Sequence, residues 1–116
     1  MRDFKKYKVW ELGHQLILDI YRASTAFPKE EIYGLTSQMR RASYSIPSNI
    51  AEGCGRESEA EFKRFLTISQ GSASELEYFN ILVKDLGMTS ETQFHEFDNK
   101  INNVKRSLHS LIKKLK

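Results

Sequence analysis

Apolar residues recur at steps of three and four along almost the whole chain, and strand-like alternation is absent, so the pattern predicts helices and no sheet. Helix 1 is expected from about Tyr7 to Ala26, with Trp10, Leu16, Ile17, Ile20 and Tyr21 among its apolar positions and a stop before Phe27-Pro28. Val9, Leu12 and Leu18 make it apolar on more than one side, which points to contacts beyond a single core stripe. Helix 2 starts near Tyr33-Gly34-Leu35 and runs toward Gly53, turning Leu35, Met39, Ala42, Ile46 and Ile50 inward, with Gly53 and Gly55 as left-handed terminators. Helix 3 opens on a capping box, Ser58-Glu59-Ala60-Glu61, and ends at Gly87. Its inward residues are Phe62, Phe65, Ser69, Ser72, Leu76, Phe79, Val83 and Leu86. Helix 4 begins near Ser90, with Gln93 completing a second capping box, and repeats Phe94, Phe97, Ile101, Val104, Leu108, Leu111 and Leu115 as a heptad seam. The connections are short, so neighbouring helices should be antiparallel. The expected fold class is all-α, an up-down-up-down four-helix bundle with one domain over residues 1–116.

Two features sit awkwardly in that plan. Pro47 lies inside helix 2, where it removes a hydrogen bond and crowds the carbonyl of Ser43, at a cost of about 3 kcal/mol. Helix 2 is therefore expected to be interrupted or kinked near Pro47, and Asn49 is placed to satisfy the freed carbonyl. Gly71-Ser72-Ala73-Ser74 lies in the middle of helix 3, where small residues permit close approach. They are expected opposite the bulge at Pro47, the alternative being a subunit contact or a ligand niche.

Composition narrows the class. Hydrophobic residues make up 40% and charged residues 28%, the balance of an ordinary soluble domain rather than a disordered chain. The single cysteine, Cys54, forms no internal disulfide, no signal peptide is evident and no apolar run is long enough to span a membrane, so the cytoplasm is expected. The net charge of +3 is unevenly spread: residues 1–8 hold four bases and one acid, and residues 100–116 hold six bases and no acid. Such ends mark either an anionic partner or a solvated face.

Three segments resemble a known family: YGLTSQMRRAS at 33–43, SIPSNIAEG at 45–53 and EFKRFLTISQGSASELE at 61–77, with Val9-Trp10 and Phe27-Pro28 fitting the same pattern. It is the family of four-helix-bundle proteins named for reading frames within intervening sequences of large-subunit ribosomal RNA genes. The resemblance implies a left-handed antiparallel bundle that assembles into a homopentameric ring. It also implies kinship with accessory proteins of diversity-generating retroelements, which bind RNA and a reverse transcriptase.

The residues themselves offer little chemistry. Glu11 and His14 form one E-x-x-H, whereas di-metal carboxylate bundles need two such motifs and further inward glutamates. His95 and His109 stand about 21 Å apart along one helix, too far to share a metal. No metal, cofactor or enzyme activity is expected. Arg40, Arg41, Pro47, Asn49, Glu52, Gly53 and Glu75 form a motif read as structural or interfacial, through arginine–carboxylate pairing. Lys100, Lys105, Arg106, Lys113, Lys114 and Lys116 make a basic stripe, which Lys5, Lys6 and Lys8 join if helices 1 and 4 are neighbours. The expected function is a homo-oligomeric, RNA- or DNA-binding accessory, with a protein-interaction scaffold using the outer apolar residues of helix 1 as the alternative.

Overall fold

The ends of the helices are set by the residues that punctuate the pattern. The computed structural model describes residues 2–115, and among these α1 spans Lys8–Ser24, α2 Leu35–Cys54, α3 Glu59–Asp85 and α4 Glu91–Lys114, with no strand. Short 3-10 turns at Phe4–Lys6 and Lys29–Glu31 precede α1 and α2. Ser58 and Ser90 cap α3 and α4, each hydroxyl accepting from the amide three residues on, Glu61 at 3.1 Å and Gln93 at 3.0 Å. Arg64 takes the Glu61 carboxylate, so the return half of that capping box is replaced by an ion pair. Gly87, at φ 75°, closes α3 in a left-handed turn. The Met88 amide donates to the Val83 carbonyl at 2.8 Å and the Gly87 amide to Lys84 at 2.9 Å, which satisfies carbonyls the helix end would leave open.

Each helix packs on its neighbours in the order α1–α2–α3–α4, and α4 returns to α1. The contacts run in opposite directions along each pair. Arg40 meets Ser24 while Ile46 and Pro47 lie over Gly13; Ser69 meets Ile46 while Gly53 lies on Phe62 and Phe65; Asn80 meets Phe94 while Gln70 reaches Lys105. The core is filled by Val9, Leu16 and Ile20 from α1, Met39, Ile46 and Ile50 from α2, Phe62, Leu66 and Leu76 from α3, and Phe97, Ile101, Val104 and Leu108 from α4.

The buried seam of α3 lies one residue past part of the expected one. Leu66, Ala73 and Asn80 are fully buried, Ser72 and Phe79 are only partly so, and Leu86 is 59% exposed. A helix packed on both sides has two nearly equivalent 3-4 seams, and the neighbours decide between them. Tyr21 of α1 likewise lies at the surface.

Pro47 does not interrupt α2, which runs unbroken to Cys54. Three side chains bond carbonyls around the proline: Ser45 Oγ donates to Ala42 at 3.0 Å, Asn49 Nδ2 to Ser45 at 2.7 Å, and the buried Ser69 Oγ of α3 to Ile46 at 2.9 Å. The carbonyl that Asn49 serves is thus that of Ser45, not Ser43. The glycine that faces the proline is on α1 and not on α3. A Cβ on Gly13 of α1 would stand 3.3 Å from Ile46 and 3.5 Å from the Pro47 ring, whereas a Cβ on Gly71 would meet nothing within 4 Å. Ser69→Ala is expected to cost about 1 kcal/mol in a urea melt, because it leaves the buried Ile46 carbonyl with one donor fewer.

Gly53 is not a terminator either. It lies inside α2, and Gly55 caps the helix with right-handed dihedrals, φ −83° and ψ −5°. A Cβ at Gly53 would come within 2.8 Å of Phe65 Cβ and 3.3 Å of the Phe62 carbonyl, so glycine is required there by close helix approach.

Candidate nucleic-acid interface

The cations of the chain divide into those tied to acids and those left free. On α4, Lys100 Nζ pairs with Asp19 of α1 and Lys105 Nζ with Glu77 of α3, each at 2.7 Å. These two lysines lace α4 to both neighbours. Arg106 bonds the Asn103 side chain, and Lys113 and Lys114 are exposed; none of the three has an acidic partner among the described residues. Lys116 lies outside the described residues. Lys105, Arg106 and His109 line a shallow groove of about 510 Å³ between α3 and α4, floored by Gln70 and Asn102. Lys113 follows Arg106 by seven residues and so continues the same side of the helix. Lys100 belongs to the opposite flank, toward α1, so the stripe is split by the bundle.

The start of the chain lies at the same end as the finish of α4. Asp19 meets Lys100, and Gln15 and Asn103 line one small cavity, so the antiparallel register brings Lys8 near the last turns of α4. Lys5, Lys6 and Lys8 are exposed, and only Lys5 has an acid, Asp3 at 3.4 Å. Lys113 and Lys114 at a helix C-terminus are favoured by the dipole, but Lys6 and Lys8 at the N-terminus of α1 are opposed by it. Helix stability therefore explains the C-terminal cations and not the N-terminal ones.

The second motif is dispersed. Arg40 turns to α1, where its Nε donates to Ser24 Oγ at 2.7 Å and its guanidinium lies 4.7 Å over the Tyr21 ring. Glu52 pairs with Arg56 at 2.9 Å. Arg41, Asn49 and Glu75 are the members brought together, in a groove of about 380 Å³ between α2 and α3 that also holds Ser45, Ile68 and Ser72. Sequence spacing missed Gly13 as the partner of Pro47. Its signal was a glycine in mid-helix, the same signal that drew attention to Gly71.

Cys54 is buried, and burial pushes its thiol pKa up, against thiolate formation. His14 stacks on Trp10 with ring centroids 5.0 Å apart. Among the described residues no group of three or more His, Cys, Asp and Glu side chains is placed to hold a metal ion, and no helix is long and apolar enough to cross a membrane.

The fold recurs in a crystal structure of a protein of unknown function from the S23 ribosomal protein family of Bacteroides thetaiotaomicron VPI-5482. The two superpose with a TM-score of 0.84 over 91% of this chain and 96% of the other, at 23% identity. No curated protein matches the chain. The model of the 23S rRNA-intervening sequence protein family matches residues 5–110. That span takes in α1 to α3, α4 as far as Ser110 and the three sequence motifs, and the chain belongs to this family of 23S rRNA-intervening sequence proteins.

Proposed function

We propose that this protein is a non-enzymatic, self-associating helical bundle that binds RNA through the outward side of α4 and the adjoining start of the chain. The observation that carries the reading is that Lys6, Lys8, Arg106, Lys113 and Lys114, which share these two elements, have no acidic partner among the described residues. Lys105 lends its charge from the edge of the same groove while paired to Glu77. The buried free Cys54 supports a reducing compartment, and the cytoplasm is the setting proposed. Self-association would repeat the surface on each copy and raise avidity for a long polyanion; the pentameric ring and a reverse-transcriptase partner rest on the family resemblance alone. Of the extra apolar residues of α1, Val9 and Leu12 belong to the core, so the scaffold alternative has only half-buried Leu18, with Ile17 and exposed Tyr21, to offer a partner.

Binding of a labelled structured RNA between about 50 and 200 mM salt tests the reading. Six or more neutralised phosphates give a loss of affinity of ~10³-fold or more over that range. Binding that is absent at low salt, or indifferent to salt, overturns it.

A further inference from the structure

The groove between α2 and α3 serves neither the packing of the chain nor the basic surface. Three of its side chains have committed a donor to the chain's own carbonyls, while Gln38, Tyr44 and Arg41 line it as further donors. The Ser45 hydroxyl gives its proton to the Ala42 carbonyl, Ser72 to the Ile68 carbonyl, and the Asn49 amide donates to the Ser45 carbonyl. What these residues still offer is mainly lone pairs, on Ser45 Oγ, Ser72 Oγ and Asn49 Oδ1, beside the Glu75 carboxylate. Arg41 is the one cation of the groove. The register that sets Ile46 against Ser69 puts Arg41 level with Glu75, yet the two form no ion pair with each other or with any other described residue.

The α3 side of this groove carries Ile68, Ser72 and Glu75, and Gly71 lies about one helical turn from the first and the last of them. Gly71 is exposed, and a Cβ there would meet nothing within 4 Å. Packing within the chain does not ask for glycine, which is disfavoured in mid-helix. A naked stretch of backbone allows another backbone to approach closely. Tyr44 and Ile68, 44% and 40% exposed, supply apolar contact alongside.

We propose that this groove is a docking site for an α-helix of a partner protein. The partner inserts an arginine side chain against Glu75 and the Ser45, Ser72 and Asn49 oxygens, and sets a carboxylate on Arg41. A planar fork of five donors suits acceptors about 6 Å apart along α2, with Ser72 and Glu75 facing them from α3, better than a compact ammonium does. A helix suits the site better than a free small cation because the bare backbone at Gly71 adjoins it. One cation and one carboxylate side by side complement a helix that bears both charges, and the site is independent of the proposed RNA surface.

The test is a titration of the ¹⁵N-labelled chain with a capped alanine-based helical peptide of about 20 residues, carrying one glutamate four positions before one arginine. The expected result is shifted amides at Asn49, Gly71 and Ser72, with affinity weakened tenfold or more by Glu75→Gln and by Gly71→Leu. Both substitutions lie at the surface, and a thermal melt confirms that the variants fold. Acetyl-arginine amide should shift the same amides only at concentrations at least tenfold higher; equal potency would identify a small-molecule niche and overturn the helix. Unshifted groove amides, or a peptide that binds Glu75→Gln as well as the unsubstituted chain, overturn the proposal. So does a chain whose own oligomer dissociates on Glu75→Gln, since a second copy then occupies the groove.

Discussion

Gly53→Val lowers the melting temperature by about 10 °C or more, whereas Gly71→Ala raises it by about 4 °C. Both glycines lie inside helices, and both replacements improve helix propensity by up to about 1 kcal/mol in the alanine case. Their surroundings decide the sign. At Gly53 the first atom of any side chain falls 2.8 Å from Phe65 Cβ and 3.3 Å from the Phe62 carbonyl. Neither atom can rotate away, because one is fixed to the backbone and the other belongs to it. Relief requires α2 and α3 to separate where Ile50, Cys54, Phe62 and Leu66 are buried. Overpacking of this kind costs about 1–3 kcal/mol, and the two methyls of valine extend the clash. Phe65→Ala does not rescue the variant, since alanine keeps the offending Cβ. At Gly71 the added methyl meets open space, so the propensity gain stands alone. Circular dichroism melts of the two variants beside the unsubstituted chain decide the matter; equal shifts of the same sign would show that propensity rather than packing governs both sites.

Those two glycines also mark where the sequence can and cannot be read. The helices, their order and most of the core followed from the 3-4 period, and the serine caps of α3 and α4 lie where the S-x-x-E and S-x-x-Q strings put them. Periodicity leaves a choice of seam when a helix is flanked on both sides, which is why Ala73 and Asn80 are buried on α3 and Leu86 is not. A glycine in a helix signals a close approach without naming the partner. Gly13, Gly53 and Gly71 look alike in sequence, yet the first packs against Ile46 and Pro47, the second admits α3 and the third faces outward. Proline is read as a breaker from local chemistry. What surrounds it in α2 is tertiary: the ring lies against Gly13 of α1, 34 residues away, and Ser69 of α3 bonds the neighbouring Ile46 carbonyl.

The candidate surfaces were legible as residue types and not as geometry. The basic character of α4 is plain in the sequence. That Lys100 and Lys105 are bound to Asp19 and Glu77 is not, because those acids come from α1 and α3. Arg40 and Arg41 are adjacent, but each residue turns a helix by about 100°, so they serve different sides: Arg40 clasps α1 and Arg41 rims the α2–α3 groove.

This division gives the second large effect. Lys8→Glu combined with Arg106→Glu is expected to weaken RNA binding tenfold or more at about 50 mM salt, and to reduce the slope of log affinity against log salt by about 1.4 to 1.8 for two phosphates. The same double variant should melt no lower than the unsubstituted chain. Arg106 has no acid to lose, and a glutamate at position 8 sits in the first turn of α1, where the dipole favours an anion. Lys105→Glu behaves differently. It removes an ion pair at 2.7 Å between side chains only about 30% exposed and sets two carboxylates against each other across α3 and α4, so stability falls together with binding. Loss of affinity accompanied by unchanged or higher stability is the signature of a surface kept for a polyanion. A solvated face gives the opposite pattern: the double variant binds as before, and only Lys105→Glu has any effect, through the fold.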